Sequence, residues 1–330
     1  MTRILLTGAG GFLGSHCLEY VLENTGWDVI ATDSFRNKGL TDRISYVLGR
    51  DPAWRSRVEV VTHDLRAPFS EQMIMRMGGI SHVLAFASES DVPRSIADPV
   101  AFIRNNMEIA LTTLELCRRT SPETVVWVST DEVYGCGGMH EEWDTPLPSN
   151  PYSASKAAQE SIAVSYWRTF GLPVVIVNCV NGIGERQDPE KFLPLLMRKI
   201  ASGDTVEVHG TREQVGSRRY VHAQDLASAI VHITAKLPAA RFGDGADRPD
   251  KYHVAGSDPV SNLELIRRVA EIMDRPLRYE LAGFPRPGHD ITYGMCGAKL
   301  AAAGWVPLIP PGEALRGIVE WTLAHPEWLA

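Results

Sequence analysis

The glycine-rich segment Thr7-Gly8-Ala9-Gly10-Gly11-Phe12-Leu13-Gly14, near the start of the chain, is the strongest indication of the fold. It follows an apolar run, Arg3–Leu6, that is typical of a buried strand, and it opens an amphipathic run, Phe12–Glu23, that predicts a helix. The spacing Gly8-x-x-Gly11-x-x-Gly14 is a variant of the dinucleotide-binding fingerprint. Such glycines permit a tight turn, let the backbone approach a pyrophosphate and allow close packing of the helix on the strand. We therefore expect a pyrophosphate at the N-terminus of this helix, where free N–H groups and the helix dipole favour negative charge.

The residues after the second and third predicted strands bear on the choice of cofactor. Asp33 ends the second strand, where an acidic side chain accepts hydrogen bonds from ribose hydroxyls and repels a 2′-phosphate. This favours NAD over NADP, although the nearby cations Arg36 and Lys38 make the preference weaker. Asp64 follows the third strand and has two equally open interpretations: it accepts a hydrogen bond from the adenine amino group, or it caps a loop.

The first half of the chain alternates short apolar runs with longer amphipathic ones, which is the pattern of a parallel sheet flanked by helices. The predicted strands are Arg3–Leu6, Val29–Thr32, Val58–Thr62, His82–Phe86, Val125–Ser129 and Val174–Asn178. The predicted helices are Phe12–Glu23, Pro99–Arg119 and Ser153–Phe170. After Asn178 the alternation becomes irregular and proline and glycine form clusters. We predict an α/β fold, a doubly wound parallel sheet of the Rossmann type with a smaller, mixed α/β C-terminal lobe.

The composition excludes several classes of protein. Of the 330 residues, 44% are hydrophobic and 22% are charged, which are ordinary values for a globular chain. The net charge of −7 argues against a general nucleic-acid-binding surface. No apolar run approaches the 18 residues or so of a membrane span, so we expect no membrane partner. The five cysteines are scattered without a Cys-x-x-Cys pair, which predicts free thiols, no metal site and a cytoplasmic location.

Two groups of residues carry candidate chemistry, and the first is Tyr152 with Lys156. The two side chains are four residues apart, so they share one face of a helix, and Asn150-Pro151 before them is a helix-entry signal. We expect the ammonium group of Lys156 to lower the pKa of the Tyr152 phenol, which makes that phenol a usable base towards a sugar hydroxyl. The pair alone indicates only that a hydroxyl or carbonyl group reacts.

The second group, Ser129-Thr130-Asp131-Glu132-Val133-Tyr134-Gly135, comes directly off a predicted buried strand. Active sites of doubly wound sheets lie at the carboxyl ends of the strands, where these side chains emerge. Thr130 is placed to hydrogen-bond a reacting hydroxyl. Burying two adjacent carboxyl groups, Asp131 and Glu132, is unfavourable because each raises the pKa of the other. Their presence here therefore indicates a catalytic role. The alternative is a solvated turn that Asp131 caps.

These stretches resemble the extended short-chain dehydrogenase/reductases, in the branch of sugar-nucleotide dehydratases and epimerases, and most closely the dTDP-glucose 4,6-dehydratases. The matching stretches, which run nearly end to end, are Thr7–Gly14, Ser88–Ile96, Ser129–Gly135, Pro151–Ala157, Pro189–Lys191, Arg218–Asp225 and Arg286–Asp290. The triplet Thr130-Asp131-Glu132 is the most specific of them. Epimerases of the superfamily usually carry a serine and no such acid pair, and the related decarboxylases usually carry Thr-Ser-Glu.

The resemblance implies that a nucleoside-diphosphate hexose is dehydrated to a 4-keto-6-deoxy sugar. In this reaction Tyr152 takes the proton of the 4-hydroxyl as NAD oxidises C4. Glu132 then removes the C5 proton, protonated Asp131 donates to the departing C6 hydroxyl, and the hydride returns to C6. Paired carboxyl groups with different pKa values suit such an elimination.

The resemblance also implies three groups of site residues. The catalytic residues are Thr130, Asp131, Glu132, Tyr152 and Lys156. The NAD-binding residues are Gly8, Gly11, Phe12, Leu13, Gly14, Asp33, Asp64, Leu65, Ala85, Ala87, Asn106, Tyr152 and Lys156. The substrate-binding residues are Ser90, Arg94, Asn181, Lys191, Arg218 and His289. For Arg218, a solvated surface pair with Arg219 stays open as an alternative.

The same resemblance implies a division of the chain and a homodimer. Residues 1–179, with about 206–236 returning to them, are expected to form the NAD-binding domain. Residues of about 180–205 and 237–330 are expected to form the nucleotide-sugar-binding lobe. The dimer is expected to pack two helices of each subunit into a four-helix interface, and the amphipathic runs Pro99–Arg119 and Ser153–Phe170 are the candidates.

Departures from the family pattern leave the substrate open. Asp91 and Pro93 stand where the family usually has His and Asp, and Asn181 is followed by Gly-Ile-Gly-Glu instead of Asn-Tyr-Gly-Pro. The nucleotide and the sugar are therefore not predicted. Other reactions on the same scaffold remain alternatives, namely 5,6-dehydration, 4-epimerisation and uronate decarboxylation, as does a non-catalytic protein that senses NAD.

Overall fold

The computed structural model describes residues 2–256, 258–284 and 290–329. Its strands are β1 Arg3–Thr7, β2 Asp28–Asp33, β3 Val58–Thr62, β4 His82–Ala85, β5 Thr124–Thr130, β6 Val174–Cys179, β7 Asn181–Ile183, β8 Val206–Val208, β9 Ser217–Arg218, β10 Tyr220–His222, β11 Asp250–Val254, β12 Val260–Ser261 and β13 Tyr279–Leu281. Its α-helices are α1 Phe12–Asn24, α2 Thr41–Arg50, α3 Glu71–Met77, α4 Val92–Ala97, α5 Pro99–Thr120, α6 Pro151–Phe170, α7 Phe192–Ser202, α8 Ala223–Lys236, α9 Asn262–Ile272, α10 Ala298–Ala302 and α11 Pro311–Ala324. The predicted strands and helices are all present, and their ends differ from the prediction by at most two residues.

Seven strands form one parallel sheet in the order β11-β6-β5-β4-β1-β2-β3. Every residue of β5 and β6 is buried, as the continuous apolar runs of both strands predict for a sheet covered on two faces. The sheet confirms the predicted doubly wound fold.

Helices cover both faces of the sheet because alternate side chains of each strand point to opposite sides. On one face, Ile4 and Leu6 pack in a core with residues of α1 and α8 such as Leu18 and Leu226. On the other face, Leu5 packs in a second core with residues of α5 and α6.

A third apolar core lies outside the main sheet. It combines Leu196 of α7, Ile266 of α9 and Val319 of α11 with Val208 of β8. The three short pairs β7–β10, β8–β13 and β9–β12 accompany it. This arrangement has the mixed α/β character predicted for the smaller lobe. That one lobe binds NAD and the other the nucleotide sugar stays a prediction.

Two strands differ from the predicted boundaries between the lobes. β11, in the range given to the smaller lobe, is an edge strand of the main sheet and pairs with β6. β8, in the range expected to return to the first domain, pairs instead with β13. The sequence of β11, Asp-Lys-Tyr-His-Val, hides the strand because Lys251 and His253 interrupt the apolar run, yet both side chains are buried.

The structure also bears on membrane and thiol chemistry. Over the described ranges, no helix is both long and apolar enough to cross a lipid bilayer. The cysteines are free, and three of them, Cys17, Cys117 and Cys179, are buried.

Candidate active site

The site residues converge at the carboxyl edge of the main sheet. The chain runs from β1 outward to β2 and β3 on one side, and returns to β4, β5 and β6 on the other. The order therefore reverses between β1 and β4, and ligands of doubly wound sheets bind at such a switch point.

The loop between β1 and α1 has the close backbone packing that the glycine spacing predicts. Gly8 has φ +71°, and a Cβ there would lie 2.9 Å from the backbone nitrogen of Ala87. A Cβ on Gly14 would lie 2.0 Å from the carbonyl oxygen of Gly8. Gly11 is the N-cap of α1 and provides no side-chain cap, so the N–H groups of the first turn are available to an anion. The loop fits a pyrophosphate.

Phe12 and Leu13, the first residues of α1, contact the segment that carries Asn181. A Cβ on Gly182 would lie 2.9 Å from Cδ2 of Leu13 and 3.6 Å from Cε1 of Phe12. The asparagine usual at this position in the family would therefore need to displace Leu13.

The two acidic residues expected at the adenosine end differ in their surroundings. Oδ2 of Asp33 accepts a hydrogen bond from the Gly10 N–H and Oδ1 accepts one from the Phe35 N–H, both at 3.0 Å. Asp33 thus lies against the glycine loop, where a ribose is expected. Asp64 forms ion pairs with Arg66 at 2.8 Å and Arg36 at 3.2 Å. It also accepts from the backbone N–H of Arg66, which is the loop-capping interpretation, and this contact leaves its role towards adenine a prediction.

Of the other residues of the predicted cofactor set, three lie at or just after the ends of β3 and β4, and Asn106 lies on α5. Leu65 is buried in the second core, and Ala85 ends β4. The N–H of Ala87 donates to Oγ1 of Thr7 at 3.2 Å. Asn106 is fully buried and donates to Oγ of Ser155 at 2.9 Å, so it links α5 to α6.

Thr130, Asp131 and Glu132 lie at the end of β5, where the chain enters a short 3₁₀ turn, Asp131–Tyr134. Oγ1 of Thr130 donates to Oδ1 of Asp131 at 3.1 Å and accepts from the Glu132 N–H at 3.3 Å. Asp131 is only 3% exposed, and its Oδ2 has no hydrogen-bond partner among the described residues. The pair is therefore not a solvated turn, because Asp131 is buried.

Tyr152 and Lys156 lie in the first turns of α6. The helix begins two residues earlier than predicted because Asn150 caps it, accepting from the Ser153 N–H at 3.0 Å, with Pro151 in the first turn. Nζ of Lys156 donates to the carbonyl oxygen of Val128 at 2.8 Å and to Oε1 of Gln159 at 2.9 Å.

Burial controls the pKa values at this site. It raises the pKa of Asp131 to about 7, with a further contribution from the Glu132 carboxylate. It lowers the pKa of Lys156 to about 8. Burial, followed by Glu132, also raises the pKa of Tyr152 well above its ordinary value, and a hydrogen bond with Thr130 opposes this. The expected lowering of the Tyr152 pKa is therefore wrong for the protein alone, because desolvation dominates and the ammonium of Lys156 is turned towards Val128 and Gln159.

The expected substrate residues fall into two groups. Lys191 donates to the carbonyl oxygen of Ser90 at 2.8 Å. Arg94 lines a cavity of about 310 Å³ together with Arg36, Arg66 and Phe102, which places it next to Asp64 and its partners.

Asn181 and Arg218 are on the side of the smaller lobe. Nδ2 of Asn181 approaches the carbonyl oxygen of Arg219 at 3.4 Å. Arg218 is half-buried, donates to the carbonyl oxygens of Asp290 and Ile291 at 2.7 and 2.9 Å, and stacks on the ring of Tyr293. It is therefore not a solvated surface residue. His289 lies outside the described residues.

Comparison with known proteins identifies the family. Residues 4–244, well over half of the chain, match the NAD dependent epimerase/dehydratase family. The chain belongs to this family. The glycine loop, with its tight approach to Ala87 and its uncapped helix, fits the cofactor in the family's description, which confirms NAD as the cofactor.

Relatives within the family share the whole length of the chain. A dTDP-glucose 4,6-dehydratase of Xanthomonas campestris is 31% identical and covers 100% of this chain and 95% of its own. The solved structure of the dTDP-glucose 4,6-dehydratase DesIV of Streptomyces venezuelae, with NAD bound, is 30% identical with a TM-score of 0.87, covering 99% and 98% of the two chains. The NAD complex of UDP-glucose 4-epimerase from Thermus thermophilus is 28% identical with a TM-score of 0.82, covering 97% and 98%.

The structure adds residues that the sequence did not indicate. Tyr293 donates to Oδ2 of Asp290 at 2.5 Å and reaches Oε2 of Glu132 at 3.5 Å, while Asn150 reaches the same oxygen at 3.4 Å. The stretch Arg286–Asp290 pointed to this region, but Tyr293 lies three residues beyond it. Lys251 is the second omission, and no local pattern marks it because its partner, Glu160, is 91 residues away.

Proposed function

We propose that this protein catalyses the NAD-dependent 4,6-dehydration of a nucleoside-diphosphate hexose to the 4-keto-6-deoxy sugar. One observation carries the proposal: the acid pair Asp131-Glu132 at the end of β5 adjoins Tyr152 and Lys156 on α6, beside a loop that fits a dinucleotide. Full-length relatives named dTDP-glucose 4,6-dehydratase support it.

In this proposal Gly8, Gly11 and Gly14 hold the cofactor pyrophosphate and Asp33 holds a ribose. When bound, NAD would supply reversible hydride acceptance at this site. Phe12, Leu13, Asp64, Leu65, Ala85, Ala87 and Asn106 complete the proposed cofactor site. Because oxidation and reduction cancel, no net reduced cofactor is released.

Tyr152 is the proposed base of the first step. Its phenolate oxygen takes the proton of the sugar 4-hydroxyl and becomes a neutral phenol, and Thr130 orients the sugar hydroxyl by a hydrogen bond. Lys156 stabilises the phenolate that acts as this base, since its own pKa of about 8 keeps a substantial cationic fraction at neutral pH. The high pKa of Tyr152 in the unliganded protein means that proton transfer depends on the bound reactants.

Asp131 and Glu132 divide the elimination between them. Glu132, held near Asn150 and Tyr293, removes the C5 proton that the neighbouring ketone acidifies. Asp131 donates a proton to the departing C6 hydroxyl, and its pKa of about 7 keeps much of it protonated at neutral pH. Two neighbouring carboxyl groups with separated pKa values are what an acid-plus-base elimination requires.

The proposed substrate contacts extend from the sugar to the nucleotide. Arg218 binds the diphosphate, since its guanidinium group is a planar, permanently charged donor. Ser90, Arg94, Asn181, Lys191 and His289 complete the proposed substrate site. The nucleotide is not specified by these residues.

A 4-epimerase is the second candidate, favoured by the similarity to UDP-glucose 4-epimerase. Glu132→Gln separates the two reactions. An epimerase needs no base at C5 and keeps its activity, whereas a dehydratase stops after the first oxidation.

The product mass tests the proposal. The purified protein is incubated with UDP-, dTDP-, CDP- and GDP-hexoses and each product is weighed. Loss of one water, about 18 mass units, is expected for at least one of them. Unchanged mass with altered chromatographic retention would support epimerisation, and a panel with no turnover would contradict both candidates.

We also propose a cytoplasmic homodimer that buries α5 and α6. Val100, Ile103, Met107 and Leu111 form one stripe along α5, and Val100 and Leu111 are 65% and 44% exposed. An exposed apolar stripe of this kind is typical of a protein–protein interface. The free thiols of the chain suit a reducing compartment.

A further inference from the structure

Behind the proposed catalytic groups, four buried polar side chains form what we call the Glu160 cluster: Glu160, Lys251, Ser129 and Asn178. Oε2 of Glu160 accepts from Nζ of Lys251 at 2.8 Å. Its Oε1 accepts from Oγ of Ser129 and, at 2.8 Å, from Nδ2 of Asn178. Glu160 and Lys251 are only 5% and 2% exposed.

The Glu160 cluster connects the helix and the strand that carry the two halves of the proposed active site. Glu160 follows Lys156 by one helical turn on α6, so both face the sheet. Its partners lie on β5, β6 and β11, and Asn178 also donates to the carbonyl oxygen of Thr130 at 2.8 Å. One carboxylate thus links α6, with Tyr152 and Lys156, to the strand end that leads into Asp131 and Glu132.

Stability alone does not account for this arrangement. Burying two opposite charges carries a desolvation penalty that their attraction barely offsets, and apolar residues of similar size often serve stability as well or better. Lys251 nevertheless lies inside the fold, with its Nζ 4.9 Å and 5.2 Å from the ring centroids of Tyr134 and Trp143.

We propose that Glu160 and Lys251 are positioning residues that hold α6 in register with the end of β5. They touch neither substrate nor cofactor in the proposed reaction. Lys251 pairs with Oε2 of Glu160 and leaves Oε1 facing Ser129 and Asn178. This inference rests on the proposed function, because its effect is on the alignment of the dehydratase groups.

Single and double variants of the full chain test the inference. Lys251→Met leaves a buried carboxylate without its cation, so kcat is expected to fall on the order of 10-fold or more with KM changed by less than about threefold. The double variant E160Q/K251M has no buried charge, and its glutamine oxygen still accepts from Asn178, so it is expected to recover most of kcat. If Lys251→Met folds too poorly to assay, Lys251→Gln keeps a donor towards Glu160 and takes its place.

Glu19→Gln is the matched control. Glu19 lies on α1, and the substitution breaks another buried ion pair, the one between Glu19 and Arg186. It is expected to lower the melting temperature and to leave kcat within about twofold. A Lys251→Met protein that loses melting temperature but keeps kcat would overturn the inference, as would a double variant no more active than the single one.

Hydrogen exchange separates this inference from the proposed function. If the wild-type chain converts no nucleotide sugar, the proposed function is wrong. The hydrogen-exchange rates then still test whether the Glu160 cluster positions α6 against β5. Peptides spanning 129–134 and 151–157 are expected to exchange faster in Lys251→Met and to return to the wild-type rate in E160Q/K251M. Unchanged exchange in both peptides would overturn the proposed register.

Discussion

Asp131 combines burial with a carboxyl oxygen, Oδ2, that lacks a hydrogen-bond partner among the described residues. A buried, unsatisfied polar atom destabilises a folded chain, and a catalytic role is one reason for such an atom to be retained. In the proposed reaction this oxygen carries the proton that leaves with the C6 hydroxyl. The neighbouring Glu132 carboxylate helps to keep that proton in place.

The first prediction concerns pH and catalysis. Asp131 acts only while protonated, and its pKa in the unliganded protein is about 7, so kcat/KM is expected to fall as the pH rises through this value. A pH series from 5.5 to about 9 with substrate well below KM measures it, because kcat/KM reports the ionisations of the free enzyme. A kcat/KM that keeps rising to pH 9 would contradict the role of Asp131 as the acid.

The second prediction concerns stability. The pKa of Asp131 is about 7 in the folded chain against an ordinary value of 3.8, so between these values the folded chain binds an extra proton and stability falls as the pH rises. Asp131→Asn removes this loss. We expect it to stabilise the protein at pH 8 by up to about 4 kcal/mol, at about 1.4 kcal/mol per pKa unit, and to have little effect near pH 4. Denaturant unfolding at the two pH values measures the difference.

The third prediction separates the two carboxyl groups. Glu132→Gln keeps the size of the side chain and removes the base, so oxidation at C4 proceeds while elimination stops. A single turnover is expected to leave the nicotinamide reduced, seen as a lasting absorbance at 340 nm, with steady-state turnover reduced by about 100-fold or more. Wild-type turnover in this variant would contradict the assignment.

At the scale of elements, the β1–α1 loop is the part of the cofactor site most sensitive to volume. A Cβ on Gly14 would lie 2.0 Å from the Gly8 carbonyl oxygen, so Gly14→Ala must move the loop, and we expect NAD to bind at least about 10-fold more weakly. Gly26→Ala is the control, because a Cβ there meets nothing within 4 Å. Calorimetric titration of both variants with NAD measures the effect, and equal affinities would contradict it.

Helix α5 carries the prediction about assembly. Met107→Glu places a charge in the apolar stripe from Val100 to Leu111, and burying it without a partner is costly. We expect the variant to sediment as a monomer where the wild-type chain sediments as a dimer. Arg55→Glu, at an exposed position in the 3₁₀ turn Pro52–Arg57 and on neither α5 nor α6, is the control for added negative charge.

The elements that the sequence predicted are those whose local pattern matches their burial. β5 and β6 are buried throughout, and their apolar runs identify them directly. β11 was not predicted because it contains two polar residues, Lys251 and His253. Both are buried in the fold, where Lys251 pairs with Glu160 and His253 hydrogen-bonds to Tyr134. The burial of this strand depends on partners that are distant in the sequence, so no local pattern of residues predicts it.

Across the whole molecule, the site residues that were predicted from the sequence lie close to one another along the chain, and those that were not predicted lie far away. Thr130 to Glu132, Tyr152 and Lys156 were found because each group is contiguous or lies on one helical turn. Tyr293 and Lys251 were not, because the fold brings them to the site from the second half of the chain. The direction of the Tyr152 pKa was missed for a related reason, since burial is a property of the assembled structure.

The transfer of a hydrogen label from C4 to C6 of the sugar distinguishes 4,6-dehydration from 4-epimerisation. A dTDP-hexose with deuterium at C4 is converted by the wild-type chain and the product is examined by mass and NMR. We expect loss of one water, deuterium at C6 and no net reduced cofactor. Deuterium that returns to C4 in a product of unchanged mass would contradict this expectation and establish an epimerase instead.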